Sequence, residues 1–257
     1  MSDEDTHNDI HVGIQEENIE DKPIIFSVGH RCTTASLIKI MNMKFESYPF
    51  DWVVSKLSSV QYFLENNFEN FLNKENYTQI ESDTINVIND EIQIITRESI
   101  VYNHELEKNK INNNGSYGYQ LALTHHNMMV DKDNEYFKRC ITRLRKILSS
   151  PKKKHYLYIH PLLGIYDFNK NCAQLLLEFI KFHDFMITQT QKVCGIFFFV
   201  VRNQEKNNTI EKVFQSDSIT VQILYTNNNL IDAGGVFDGD FYKEQYSILV
   251  YIENIIK

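Results

Sequence analysis

The sequence is poor in the features that would assign it quickly. Of 257 residues only 9 are glycine, 4 proline and 1 tryptophan. Asn, Ile and Lys are abundant instead, which reflects the nucleotide composition of the source and carries no structural signal. No stretch reaches the roughly 18 uninterrupted apolar residues of a membrane span. The longest apolar run, Val193–Val201 (VCGIFFFVV), is strand-length. No strongly basic face is evident: 26 Lys and Arg stand against 34 Asp and Glu, for a net charge of −8. That disfavours nucleic acid and an anionic membrane surface as partners. The four cysteines (Cys32, Cys140, Cys172, Cys194) form no C-x-x-C pair, which disfavours zinc and dithiol chemistry. There is no Gly-rich phosphate loop, and no acidic cluster has the ligand spacing a metal site would need, so neither a cofactor nor a metal is expected. The first 22 residues are acidic and lack a signal-peptide core. The expectation is a cytoplasmic protein with residues 1–22 as a flexible arm and 23–257 as one α/β domain.

What is present is an alternation of strand and helix patterns. A short apolar strand, PIIFSVG, runs into CTTASLIKIMNM, where Ala35, Leu37, Ile38 and Met41 recur at helical spacing. SYPFDW reads as a turn, because Pro49 disfavours helix just before it. SKLSSVQYFLENNFENFLN places Val60, Phe63, Leu64, Phe68 and Phe71 on one helical face. Residues Tyr77–Tyr102 alternate weakly and read as short strands. YGYQLALTHHN reads as a strand ending in a histidine pair, and DNEYFKRCITRLRKILSS as an amphipathic helix. The second half continues KKHYLYIH (strand), NKNCAQLLLEFIKFHDFM (helix), CGIFFFVV (strand), SITVQILYT (strand) and DFYKEQYSILVYIENII (helix). Such alternation predicts a doubly wound, mostly parallel α/β sheet with helices on both faces, Rossmann- or flavodoxin-like, with a small antiparallel excursion around Tyr77–Tyr102.

In an open parallel sheet, ligands bind beyond the carboxyl ends of the strands. Cys32 falls there, where the first strand passes through Gly29 into a helix. Unpaired N–H groups and the positive helix end favour a thiolate at that position and can receive an oxyanion. His30 and Arg31 add positive charge beside it. A thiol nucleophile needs a base. His125, His126 and His160 each follow an apolar strand and so can reach the same rim; the pair in LTHHN fits better, since one ring can turn inward while the other meets solvent. Asp51 in YPFDW is the candidate for orienting the base, or it ties down its own turn. Trp52 is expected to wall a pocket.

The order FSVGHRCTTASLIKI, SYPFDWVVS, YGYQLALTHHN and FKRCITRLRKIL resembles the family described as putative papain-like cysteine peptidases of unknown function. The resemblance covers roughly Ile24–His160. It implies Cys32 as nucleophile, His125 or His126 as base and Asp51 as the acid of the PFDW element, while His30 and Arg31 depart from the small polar residues of that family's turn. By their placement, His30, Arg31, Trp52 and His160 are expected around the substrate. A papain-like enzyme joins a helical, Cys-bearing part to an antiparallel sheet, whereas the alternation after Lys152 points to a parallel one. The function expected is therefore a cysteine-dependent hydrolase or acyl transferase acting on a peptide, amide or acyl substrate. The alternatives are a sugar- or nucleotide-binding α/β module, an inactive descendant acting through protein contacts, or an SGNH-type esterase. The last lacks its usual C-terminal Asp-x-x-His, because His183 is the final histidine.

Overall fold

The computed structural model describes residues 23–30, 32–80, 86–88, 91–93, 99–102, 121–123, 125–162, 165–203, 205–206, 209–226 and 250–256. The N-terminal arm, Arg31 and the acidic DAGGVFDGDFY segment lie outside them. The chain forms β1 (Ile24–Ser27), α1 (Cys32–Ile40), β2 (Val53–Ser55), α2 (Leu57–Glu65), α3 (Glu69–Leu72), β3 (Tyr77–Ile80), β4 (Asn86–Ile88), β5 (Glu91–Gln93), β6 (Ser99–Tyr102) and β7 (Leu121–Leu123). There follow α4 (Asp131–Ser149), β8 (Lys154–Leu162), α5 (Ile165–Gln189), β9 (Val193–Arg202), β10 (Ile210–Gln215) and β11 (Ile219–Thr226). A further helical stretch covers 250–256.

The principal sheet has the order β1-β8-β9-β11-β10 and is parallel except for β10, which pairs antiparallel with β11 at its edge. Its strands are apolar on both faces, as parallel strands covered twice must be. Phe26, Tyr156, Tyr158, Phe197 and Phe199 point to one side, where α2, α4 and α5 contribute Val60, Phe137, Ile141 and Phe179 to the same core. Ile25, Leu157, Ile159, Ile196 and Phe198 point to the other, against Leu37 and Ile38 of α1 and Ile252 and Ile256 near the C-terminus. The molecule is thus a mixed α/β structure built around a mostly parallel five-stranded sheet.

Three features depart from the sequence pattern. The antiparallel part is larger than an excursion: β2, β7, β6 and β3 form a separate four-stranded sheet, and β4 pairs with β5. Its edge strand β2 and the neighbouring β7 are three-residue strands too short to show a period. The helix expected across SKLSSVQYFLENNFENFLN breaks into α2 and α3, because Asn67 and Phe68 adopt left-handed backbone (φ 51° and 60°). The Phe68 amide closes onto the Phe63 carbonyl at 2.8 Å, and Phe68 is buried rather than exposed by the break. Finally, β10 is a half-exposed edge strand with a bulge between Lys212 and Phe214. Its charged residues hid it in the sequence, as edge strands often do.

Candidate functional site

The link from β1 to α1 is a forced turn. Gly29 (φ 95°) and His30 (φ 61°) are consecutive left-handed residues. Only glycine fits the first: a Cβ there would lie 2.0 Å from Ser55 Oγ. The Gly29 amide donates to Ser27 Oγ at 3.1 Å, and Thr34 Oγ1 donates to the Gly29 carbonyl at 2.9 Å. A non-glycine residue in this region costs about 1–3 kcal/mol and marks a place worth a functional question. The turn delivers Cys32, half-buried, as the first residue of α1. None of the four cysteines is in a disulfide. Burial pushes the thiols of Cys140, Cys172 and Cys194 above their ordinary range.

β2 relates this turn to the histidine pair. His30 bridges Ser55 in the antiparallel sense, so the chain at His30 runs opposite to β2. On the other side of β2, β7 is also antiparallel, with Leu123 opposite Val53 and Leu121 opposite Ser55. The chain leaving β7 therefore runs in the same direction. His125 lies two residues after Leu123, the partner of Val53, and its ring meets the Trp52 ring edge-to-face at 6.2 Å.

The two adjacent histidines are held differently. His125 is exposed. His126 stacks on Tyr136 at 4.4 Å and lies 3.5 Å from Asp133 Oδ1; Asp133 also accepts from the Asn127 amide at 2.7 Å. His126 is thus fastened to the start of α4.

Asp51 is buried, and its carboxylate accepts from the Tyr48 amide at 2.8 Å and pairs with Lys44 Nζ. Both partners belong to its own loop, so the carboxylate is not brought to an imidazole. Burial raises its pKa, and Lys44 and the Tyr48 amide pull the other way. Burial likewise pushes the Tyr48 hydroxyl up to about 12. Lys44 Nζ lies 5.9 Å above the Trp52 ring, which connects the PFDW turn to the ring that His125 touches. Lys44, Phe45, Glu46 and Trp52 share a shallow cleft of about 500 Å³ with Lys39 and Arg143. The sequence reading passed over this cleft, because its residues come from three segments; the i, i+4 spacing of Arg139 and Arg143 on a helix face was the one local signal.

His30 and His160 occupy a second cavity of about 420 Å³ between α2 and α5. Both rings are buried, with centroids 4.9 Å apart. His30 Nδ1 lies 3.2 Å from the Tyr158 hydroxyl, and His160 packs against Tyr158, Phe179 and Phe199. Lys56, Glu178 and Lys181 contribute to the cavity wall. The structure therefore separates the residues expected around one substrate: Trp52 stands with His125, while His30 and His160 face the α2–α5 side. Among the described residues no cluster of three or more His, Cys, Asp or Glu could hold a metal ion, and no helix is long and apolar enough to cross a membrane.

A thiol at a helix start beside an antiparallel sheet that ends in a histidine is the arrangement a papain-like enzyme needs. Residues 24–181 match the family described as "Putative papain-like cysteine peptidase", and the chain belongs to that family. The match spans β1 through most of α5 and so contains both sides of β2. No curated protein and no solved structure matches the chain.

Proposed function

We propose that the chain is a cysteine-dependent hydrolase of peptide or other acyl substrates, with Cys32 as nucleophile and His125 as its base. The observation that supports this reading is the shared neighbour β2: His30, two residues before Cys32, bridges Ser55 on one side, and β7, which precedes His125, pairs on the other, with the His125 ring against Trp52. Cys32 Sγ attacks the substrate carbonyl carbon while His125 takes the thiol proton. The oxyanion accepts hydrogen bonds from N–H groups in the first turn of α1. His125 then protonates the leaving amine or alcohol, and a thioester remains on Cys32. Water, deprotonated by His125, attacks that thioester and frees the acid and the thiol. Asp51 acts on this site indirectly, by fixing the turn that carries Trp52. The finer description of the five-stranded sheet as doubly wound, in the Rossmann or flavodoxin manner, belongs with this proposal and is supported by its parallel strands and two apolar faces.

Substoichiometric iodoacetamide at neutral pH is expected to modify Cys32 before Cys140, Cys172 and Cys194, whose thiols burial holds protonated. Cys32→Ala is expected to fold normally and to lose at least about a thousandfold in turnover of an amide or thioester probe. Equal labelling of all four thiols, with unchanged turnover in the variant, would remove the nucleophile from this scheme. One observation favours a second reading: the cavity around His30, Tyr158 and His160 suits a small polar ligand, as in a sugar- or nucleotide-binding module. Ligand-induced protection that maps to α2 and α5, together with a Cys32 that resists alkylation, would favour that reading.

A further inference from the structure

The cleft beside Trp52 inverts the charge of the molecule around it. The chain carries −8 overall, yet the cleft wall presents Lys39, Lys44 and Arg143 against the single acid Glu46. Asp51, which pairs with Lys44, is buried beneath the surface rather than displayed on it. Arg143 is loosely occupied. Its Nε lies 3.5 Å from Glu46 Oε1 and its Nη1 3.5 Å from the Ser47 carbonyl. Both distances exceed the roughly 2.7–2.9 Å of a charge-assisted hydrogen bond. A guanidinium has five donors in a planar fork suited to a carboxylate, so a guest carboxylate can take Arg143 in better geometry than Glu46 does. Beside these cations stand apolar surfaces that folding leaves uncovered: Phe45 is 53% and Ile40 41% exposed, and Trp52 is half-buried.

The position of the cleft relative to Cys32 follows from helix geometry. Lys39 is seven residues along α1 from Cys32, two turns on the same face and about 10 Å away along the axis. An extended chain covers that span in about three residues.

We propose that this cleft selects acidic substrates. It binds a carboxylate-bearing side chain about three residues from the bond that Cys32 attacks, with the carboxylate on Arg143 and Lys39 and the neighbouring apolar groups on Trp52 and Phe45. The assignment of the attacked bond rests on the reading of Cys32 as nucleophile; the affinity of the cleft for a carboxylate does not. Trp52 is the only tryptophan in the chain, so intrinsic fluorescence reports on the cleft directly.

The test titrates the full-length Cys32→Ala protein with the blocked peptide acetyl-Glu-Ala-Ala-Ala-amide and with its Gln counterpart. The Glu peptide is expected to give a saturable Trp52 response about tenfold tighter than the Gln peptide. That difference should shrink as salt rises from 50 to 500 mM, vanish in an added Arg143→Gln substitution, and persist in Lys212→Gln, which changes an exposed lysine on β10. Equal affinity for the two peptides, or no saturable response to either, overturns the proposal. The two readings fail separately. Selective binding by the variant combined with no turnover by the wild type would remove Cys32 as nucleophile and leave the cleft standing. Turnover of neutral and acidic peptides at equal efficiency would do the reverse.

Discussion

Two groups of imidazoles, His30 with His160 and His125 beside Trp52, are treated by the fold in opposite ways. His30 and His160 are buried ring against ring, with Tyr158 and Phe179 closing around them. His125 is exposed and meets the rest of the molecule through the edge of Trp52. A group that takes and returns a proton in each cycle must accommodate its charged form and exchange with solvent. The proposed base is therefore the exposed ring, His125, and His30 and His160 are left to line the α2–α5 cavity.

The comparison is broken or upheld most strongly by substitution on both sides of it. His125→Ala is expected to lower kcat on an amide probe by about a thousandfold, within the range of a lost general base. His160→Phe keeps a ring in the same packing and is expected to stay within about tenfold of wild type. Steady-state kinetics on the two variants checks this, and the opposite ranking would move the base to the buried pair.

A further histidine sharpens the contrast at the other end of the sheet. His155 is 1% exposed on β8, and neither ring nitrogen has a hydrogen-bond partner among the described residues. His183, also buried, is bonded on both sides, with Nδ1 2.8 Å from the Tyr156 hydroxyl and Nε2 2.8 Å from Ser218 Oγ. Gly195 makes room for that link, since a Cβ there would lie 2.5 Å from the Tyr156 oxygen. Burial pushes His155 down to about 4, with Lys153 adding to the effect. The folded state therefore prefers its neutral ring. Its contribution to stability is complete above the unfolded value of about 6.5 and is lost as pH falls through about 4, an effect of about 3 kcal/mol. Denaturant midpoints between pH 7 and pH 4 should show this loss, and His155→Leu should flatten it. An unchanged pH slope in the variant would place the acid sensitivity elsewhere.

The smallest effect concerns the turn itself. Gly29→Ala forces a Cβ toward Ser55 at a positive φ and is expected to cost about 2 kcal/mol. Ser55→Ala removes the oxygen it would strike but leaves the strained φ, so the double variant should recover only part of the loss in a thermal melt. Full recovery would mean that crowding, and not backbone conformation, limits this position.

Much of the fold was legible because it rests on long periodic segments. α4, α5, β8, β9 and β11 have their apolar residues at intervals that a single pattern reveals, and the parallel sheet follows from their alternation. The antiparallel sheet was only partly legible. Leu121–Leu123 lies within the strand read from YGYQLAL, but Val53–Ser55 becomes a strand by pairing with it, and three residues carry no period of their own. The break at Asn67 and Phe68 was hidden for a related reason: Phe71 remains in phase for burial after the helix stops. At the site, Cys32 could be found from the strand–glycine–helix order, and the histidine pair from the strand before it. The choice between His125 and His126 could not, since it depends on Tyr136 and Asp133 fastening one ring. The competing roles of Asp51 turned on Lys44, seven residues earlier, whose ammonium takes the carboxylate that a neighbouring imidazole would otherwise need.

The most direct test is the pH dependence of Cys32 alkylation by iodoacetamide, read at that residue by peptide mass analysis in wild type, His125→Ala and His160→Phe. The account predicts that wild type and His160→Phe share one profile, and that His125→Ala shifts the onset of Cys32 alkylation to higher pH. A profile unchanged by His125→Ala but shifted by His160→Phe would contradict it.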